Sequence, residues 1–222
     1  MAYKKLLEKM MSLGNWHYDP TSNIEDAVNI SPYIIEDSWL PDIKDAVNSV
    51  DFSDCVWCYK EEEDDYENNV LAWTKLDHRS HGYNNENTKY KQIQIDNNDK
   101  PYWAESLLKQ AEKKGLKEAY LGVNMQVPGT VNPWHFDTYQ RLKSGHFNFG
   151  SEKEFKNIRR HLIFPENWHW GHFFQVGNSV VSNWKAGDAV TWEPLRYHLA
   201  CNAGIKPKYT ISITGKIDTL KV

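Results

Sequence analysis

The sequence lacks long hydrophobic segments and any surplus of positive charge. None of its 222 residues lies in an apolar run long enough to cross a bilayer, and the first residues mix lysines with apolar side chains, unlike a signal peptide. The formal net charge is −4 and the sequence pI is about 6.1, so there is no diffuse basic surface to attract nucleic acid or anionic lipid. We therefore expect a cytoplasmic protein that binds neither nucleic acid nor membrane, with an oligomeric state that the sequence leaves open.

Cysteine is scarce, with three in the chain. Cys55 and Cys58 have CxxC spacing, but a structural zinc site needs a second pair of ligands, and none follows nearby. Thiols stay reduced in the cytosol. We therefore interpret Cys55 and Cys58 as strand residues in preference to a redox pair.

Internal repeats, linkers and low-complexity tracts are also absent, which predicts a single domain over residues 1–222. Residues 1–118 form a mixed portion, with helices predicted over 40–50 and 103–115. Residues 119–217 contain β-branched and aromatic runs between turn residues, and they predict strands over 160–165, 172–176, 179–184, 189–192 and 209–217. We therefore predict a mainly β protein with flanking helices around a jelly-roll core.

The stretch from 119 to 138 carries the strongest chemical signal. An apolar strand leads into a Pro-Gly turn and then presents His135 and Asp137, whose i, i+2 spacing puts both side chains on one side of an extended chain. An imidazole and a carboxylate form half of a metal site, and His198 is the best candidate for the third ligand. Two histidines and a carboxylate leave coordination positions open, which is typical of a non-heme Fe(II) centre. We therefore predict His135, Asp137 and His198 as catalytic metal ligands.

A cation follows on a later strand. Lys208 lies ten residues after His198 and shares one side of a strand with Thr210. A 2-oxo acid bound to iron extends its distal carboxylate away from the metal, and an ammonium with a hydroxyl beside it would bind that carboxylate. Taken singly, Lys208 would be interpreted as a surface lysine and each histidine as an ordinary core or surface residue. The order of these groups along the chain is what favours a site.

Several motifs in this half of the chain occur together in a known family. They are Pro128-Gly129-Thr130 followed by His135, Arg159-Arg160-His161-Leu162, Asn183-Trp184-Lys185-Ala186-Gly187-Asp188, and His198 followed by Lys208. In this order they resemble the aspartyl/asparaginyl β-hydroxylase branch of the Fe(II)/2-oxoglutarate-dependent oxygenases. The resemblance covers residues 119–217 and does not extend to the N-terminal portion. It implies a cupin-like double-stranded β-helix that uses Fe(II), 2-oxoglutarate and dioxygen to hydroxylate a C–H bond.

The resemblance also implies roles for individual residues. Besides the two histidine ligands, it implies that Arg159 and His161 are polar groups at the cosubstrate and that Asn124 lies near the same ligand. A basic residue at Lys208 would hold the distal carboxylate, although arginine is usual there and lysine offers one point charge instead of a fork. Asp137 stands where the animal peptide hydroxylases have glycine. Its carboxylate completes the triad and argues against halogenation, because halogenases leave this position open for halide.

The substrate is the least defined part of the prediction. Tyr139 and Arg141 follow the HxD motif, and Arg196 lies just before His198. All three are therefore candidates for binding a carboxylate or a peptide backbone of the substrate. The alternative for Arg196 is a rim ion pair with Glu193. Aromatic residues such as Trp134 favour an open groove for a peptide or protein side chain over the closed pocket that a free amino acid needs. The N-terminal portion is expected to form one wall of this cleft.

Two other classes compete with an oxygenase. A non-catalytic cupin-like module would keep the barrel and bind a small ligand or another metal, and its C-terminal cation and hydroxyl would be dispensable. A structural protein with an incidental histidine-rich core would require all these motifs to coincide in this order.

Overall fold

The structure is a computed structural model that describes residues 26–53, 81–135, 137, 156–194 and 196–217. Within these ranges the helices are α1 (Trp39–Asn48) and α2 (Tyr102–Lys113). The strands are β1 (Ala27–Ile30), β2 (Lys91–Gln94), β3 (Leu116–Gln126), β4 (Thr130–His135), β5 (Ile158–Ile163), β6 (His172–Val176), β7 (Ser179–Val181), β8 (Ala189–Trp192), β9 (His198–Asn202) and β10 (Lys208–Ile217). Neither described helix is long and apolar enough to cross a membrane. Cys55 and Cys58 lie outside the described residues.

The strands form two antiparallel sheets. The first has the order β1-β8-β5-β10-β3-β2 and the second has the order β4-β9-β6-β7. From β3 onward the chain passes back and forth between the sheets, so that β3, β5, β8 and β10 belong to the first and β4, β6, β7 and β9 to the second. This winding is a double-stranded β-helix, the jelly roll that the sequence predicts. The chain is therefore a mainly β protein with flanking helices.

The N-terminal portion extends the first sheet at both edges. β1 pairs with β8 from Ala27↔Trp192 to Ile30↔Ala189. β2 pairs with β3 at the other edge, with Gln92 opposite Asn124. The described residues before 119 thus continue the core sheet as well as supplying the helices.

The two helices cover the outer face of the first sheet. α2 buries residues at helical spacing on the side toward β3: Trp103, Ala104, Leu107 and Ala111. Burying one large aliphatic side chain of this kind stabilises the fold by about 1.5 to 3 kcal/mol. The chain leaves α2 at Gly115, whose φ of 89° suits glycine. The helix predicted over 103–115 is confirmed, with bounds Tyr102–Lys113.

Side-chain alternation on the central strands separates two cores. On β10, Ile211 and Ile213 pack in the helix-covered core. The side chains of β10 that consequently face the interior between the sheets are Lys208, Thr210, Ser212 and Thr214. On β5, Ile163 packs in the helix-covered core whereas Leu162 packs in the interior. Even-numbered residues of both strands therefore line the interior.

A tight turn carries the chain from β3 in the first sheet to β4 in the second. Thr130 N donates to Val127 O at 3.3 Å, and Gly129 has a φ of 82°. Proline at the second position and a glycine with positive φ at the third are the signature of a type II turn. The predicted Pro-Gly turn is confirmed, and it leads directly into β4.

Candidate metal centre

His135 and His198 stand opposite each other on neighbouring strands of the second sheet, with ring centroids 4.2 Å apart. β4 reaches this register through a bulge. Asn132 pairs with Ala200 and His135 with His198, so two residues of β4 lie opposite one residue of β9. Pro133 lies in the bulge, where the ladder needs no N–H from it. Without the extra residue, alternation from Asn132 would turn His135 away from the interior.

Backbone carbonyl groups orient both imidazole rings. His135 Nδ1 lies 2.6 Å from Pro133 O, and His198 Nδ1 lies 3.0 Å from Arg196 O. A carbonyl oxygen can only accept, so we assign the proton of each ring to Nδ1 and the lone pair to Nε2. His198 Nε2 lies 3.5 Å from Asp137 Oδ2. Hydrogen bonds of this kind fix the tautomer that a histidine needs in order to bind a metal through Nε2.

Asp137 completes a cluster in which the possible ligand atoms of the three residues all lie within 4.8 Å of one another. Its Oδ2 accepts a hydrogen bond from Arg160 Nη1 at 2.6 Å. Burial by itself raises the pKa of the Asp137 carboxyl, but the Arg160 guanidinium and then the neighbouring imidazoles lower it, and the net shift is below its ordinary value. The carboxylate is therefore ionised at neutral pH.

The charges of this cluster suit a divalent cation. The two histidines are 5% and 4% exposed. Burial lowers the pKa of His135 to about 3 and also lowers the pKa of His198, so both rings are neutral near pH 7. Two neutral nitrogen donors and one carboxylate match the donor set of non-heme Fe(II) centres. The residues therefore fit such a metal, and theirs is the one cluster of this kind in the described part of the chain.

The interior between the sheets divides into an apolar half and a polar half. The apolar half lies on β5, β6 and β8 and includes Phe164, which stacks on Trp184 with ring centroids 4.0 Å apart. The polar half lies on β3 and β10. We call its central residues the polar slot: Gly122, Asn124, Thr210 and Ser212. These side chains are small or polar, and Asn124 and Thr210 are only partly buried.

Lys208 closes the polar slot at the end away from the triad. The residue is 2% exposed, and its Nζ donates to Phe173 O at 2.5 Å and to Cys201 O at 3.4 Å. The Lys208 ammonium also lies over the face of the Trp184 ring, with 6.0 Å between Nζ and the ring centroid. Burial lowers the pKa of Lys208 to about 7. No ion pair within the described ranges involves Lys208, so its charge is available to a bound anion.

Asn132 of the second sheet presents a polar atom that has no hydrogen-bond partner among the described residues. Asn132 pairs with Ala200, which packs against the core between the sheets, so the Asn132 side chain also faces that interior. Its Oδ1 is buried without a hydrogen-bond partner among the described residues. An unsatisfied buried acceptor costs about 1 to 3 kcal/mol. Since a carboxamide can present its oxygen or its NH₂, a bound molecule would satisfy Asn132 in either orientation.

Arg159 and His161, which the resemblance predicts at the cosubstrate, lie on the opposite face of β5 from Arg160. His161 Nδ1 lies 2.6 Å from Tyr33 Oη on the helix-covered side, and burial lowers the pKa of His161 to about 4. Arg159 Nη2 donates to Glu193 Oε1 at 2.7 Å, and its Nη1 donates to two backbone carbonyls. Successive residues of a strand point to opposite faces, so an interior Arg160 turns both neighbours outward. The structure thus brings Arg160 to the triad instead.

Sequence reasoning missed Arg160 because β5 is buried on both faces. Its odd-numbered and even-numbered positions both combine a basic residue with an aliphatic one. A strand of this kind has no polar and apolar alternation that would reveal its orientation. The orientation follows only from the pairing with β10 in the folded protein, where Arg160 lies opposite Thr214 on the interior side.

The backbone carbonyl of Arg196 contacts the triad residue His198, whereas the Arg196 side chain contacts Asp26 of the N-terminal portion. Its Nη1 lies 3.4 Å from Asp26 Oδ1, and the Arg196 side chain is 30% exposed. Glu193, the partner that the alternative interpretation gives to Arg196, pairs with Arg159. Tyr139 and Arg141, the other predicted substrate residues, lie outside the described residues.

Comparison with known proteins finds neither a matching family model nor a matching curated protein. Similar solved structures include a Pseudomonas putida prolyl-4-hydroxylase, at 14% identity over 58% of this chain and 72% of that chain, with a TM-score of 0.42. A 2OG complex of the collagen prolyl hydroxylase of Paramecium Bursaria Chlorella virus-1 is 10% identical over 58% of this chain and 80% of that chain, with a TM-score of 0.41. The Schizosaccharomyces pombe Cnp3 cupin domain is 11% identical over 60% of this chain and 67% of that chain, with a TM-score of 0.35.

Proposed function

We propose that this protein is an Fe(II)- and 2-oxoglutarate-dependent dioxygenase that hydroxylates an amino-acid side chain. One combination carries the proposal: two buried, neutral imidazoles and a partly buried carboxylate share an interior with a buried ammonium held by backbone carbonyls. A protein that only binds a metal needs the triad alone. A dicarboxylate that reaches from the metal to the ammonium needs both.

The spacing along β9 supports 2-oxoglutarate as the ligand that joins the two groups. Lys208 Nζ reaches the carbonyl of Cys201, which lies three residues from His198 on β9 and thus about 10 Å along the strand. A five-carbon dicarboxylate that bound the metal through its 2-oxo acid end would extend its other carboxylate toward Lys208. Thr210 and Asn124 of the polar slot would then donate hydrogen bonds along the ligand.

The residues of the chain bind, orient and shield. Bound Fe(II) would supply the oxidative chemistry, which inserts one oxygen atom of dioxygen into a C–H bond while 2-oxoglutarate becomes succinate and carbon dioxide. The carbonyls of Pro133 and Arg196 hold the two imidazoles, and Nε2 of His198 faces Asp137. Lys208 neutralises the distal carboxylate of the cosubstrate. The aromatic residues of the apolar half exclude water from the same interior.

Anaerobic titration tests this proposal. Fe(II) and 2-oxoglutarate added together should produce the weak visible metal-to-ligand charge-transfer band of a chelated 2-oxo acid, and neither should produce it alone. Admitting oxygen should then release succinate. Fe(II) binding without this band would indicate a metal-binding module, and a protein that binds no metal would have a triad with another purpose.

The competing function is a non-catalytic cupin-like module. Lys208 is the observation against it, because burying an ammonium without a counter-charge costs free energy that a metal-binding module has no reason to bear. In such a module Lys208→Met would leave ligand binding unchanged.

For the substrate we propose a side chain within a peptide or protein, with a free amino acid as the alternative. Support comes from where the N-terminal portion joins the barrel. Asp26, just before β1, lies beside Arg196, whose carbonyl orients His198. β1 begins with Ala27 opposite Trp192, and the Trp192 ring lies 5.1 Å from that of His198. The N-terminal portion would therefore form one wall of a cleft above the metal.

A substrate panel separates the two alternatives. The Fe(II)-loaded protein is given free amino acids and a peptide library, and we expect succinate release with a mass gain of one oxygen on a peptide. A free amino acid that is hydroxylated efficiently, with no product on any peptide, would overturn the peptide proposal and leave the iron chemistry in place.

A further inference from the structure

We propose that Arg160 is the positioning residue that holds Asp137 in place for metal binding, an inference that rests on the function proposed above. Its Nη1 donates to Asp137 Oδ2 at 2.6 Å, and its Nε donates to Thr214 Oγ1 at 3.1 Å. The Arg160 and Asp137 side chains are 20% and 15% exposed. One guanidinium thus joins the metal-binding carboxylate to a hydroxyl of the first sheet.

Asp137 needs such support more than the histidines do. His135 and His198 are paired strand residues, and a backbone carbonyl fixes each ring. Asp137 lies beyond the end of β4, outside the strand ladder. A carboxylate on a short side chain there can rotate among several rotamers. The bond to Arg160 selects the one in which Oδ2 lies 3.5 Å from His198 Nε2.

Arg160 is well placed to fix this rotamer because its own backbone is constrained from both sides. β5 lies between β10 and β8, and Arg160 pairs with Thr214 on one and Trp192 on the other. The planar guanidinium offers several donors in fixed directions, so it can bond Thr214 and Asp137 at once, which a lysine ammonium at this position could not do with the same rigidity. A carboxylate has about four lone-pair sites, so the bond to Arg160 leaves others for a metal.

The alternative role for Arg160 is competition. A guanidinium on the carboxylate could oppose metal binding by occupying and neutralising the ligand. The two roles predict opposite effects when Arg160 is replaced by an uncharged residue of similar length. Positioning predicts weaker metal binding, and competition predicts tighter binding.

Metal affinity measured by anaerobic calorimetry with Fe(II) distinguishes these roles without any turnover assay. Arg160→Met should weaken Fe(II) binding by about 10- to 100-fold, the usual effect of removing a residue that orients a metal ligand. The Co(II)-loaded variant should also show an altered visible absorption spectrum, because the carboxylate is no longer held in one orientation. Affinity equal to or tighter than that of the unmodified protein would overturn the proposal.

Thr214→Val provides a second test that keeps both charges and nearly the same volume. It removes the hydroxyl that anchors Arg160 Nε, so a several-fold loss of Fe(II) affinity is expected, and unchanged affinity would overturn the anchored-arginine role. This variant serves if Arg160→Met fails to fold, as judged by circular dichroism.

Arg159→Met is the matched comparison. It removes the same charge one residue away, but from the outer face of β5, where Arg159 pairs with Glu193. We expect Arg159→Met to keep the Fe(II) affinity of the unmodified protein. If Arg159→Met lost Fe(II) affinity while Arg160→Met kept it, the inference would be overturned. If the unmodified protein binds no Fe(II), the proposed function fails; if it binds Fe(II) and Arg160→Met binds it equally well, only this inference fails.

Discussion

Replacing His198 by alanine is expected to abolish 2-oxoglutarate-dependent turnover and to weaken Fe(II) binding by more than about 100-fold. Loss of a group that only orients a ligand typically costs 10- to 100-fold, so loss of a ligand itself should cost more. The ring lies opposite His135 and 3.5 Å from Asp137, so no other described side chain is placed to replace it. Succinate release and anaerobic Fe(II) calorimetry measure the two effects.

His161→Ala is the control for this prediction. His161 is as buried as His198, at 5% exposed, but it contacts Tyr33 on the outer face of the first sheet. Its removal should lower the unfolding temperature while the remaining folded protein keeps its Fe(II) affinity. Full activity in His198→Ala would refute the triad, and a higher 2-oxoglutarate requirement in His161→Ala would support the position at the cosubstrate that the family resemblance implies for this residue.

Replacing Lys208 by methionine is expected to raise the 2-oxoglutarate concentration needed for half-maximal turnover by roughly ten- to a hundred-fold, with little change in Fe(II) affinity. Removing a charge-assisted hydrogen bond from a buried carboxylate costs about 1.5 to 3 kcal/mol, which corresponds to that range of affinity. Methionine keeps the length of the side chain and removes its charge. An unchanged cosubstrate requirement would transfer the role to another interior cation, with Arg160 as the first candidate.

The pH dependence of cosubstrate binding identifies the same ammonium independently. Burial lowers the pKa of Lys208 from 10.5 to about 7 in the protein without an anion. A bound carboxylate stabilises the charged form and raises this pKa, so above pH 7 binding takes up a proton, and affinity falls as the pH rises toward 9. The binding enthalpy, measured by calorimetry in buffers of different ionisation enthalpy, gives the number of protons taken up when 2-oxoglutarate binds. Lys208→Met should bind 2-oxoglutarate weakly at every pH and take up no proton at this position.

Stability provides the folding control for Lys208→Met. Because the folded-state pKa is depressed, the unfolded chain binds more protons at this residue between about pH 7 and pH 10.5, so the contribution of Lys208 to the unfolding free energy rises with pH over that window. At pH 6 the buried ammonium opposes folding. The methionine variant should therefore unfold at no lower temperature than the unmodified protein at pH 6, and a marked loss of stability would mean that the carbonyl bonds of Lys208 outweigh the cost of its burial.

Local sequence patterns determined the jelly roll and the grouping of the triad. Strands β6 and β8 begin and end where the apolar runs and turn residues predict, and the Pro-Gly turn leads into β4 as expected. His135 and Asp137 lie in one cluster, as their spacing predicts, although Asp137 lies beyond the end of β4. Lys208 and Thr210 follow the same rule, since Ile211 fixes the opposite face of β10 through its packing against the helices.

Tertiary structure decided which side of β5 faces the metal and how β4 reaches it. Burial on both faces removes the alternation that would have separated Arg160 from Arg159 and His161, so only the pairing of β5 with β10 sets its orientation. The bulge at Pro133 shifts β4 by one residue, and a shift of one residue exchanges the two faces of a strand. Spacing along a single strand fixes which residues point the same way, whereas the direction in which they point depends on hydrogen bonds to strands far away in the sequence.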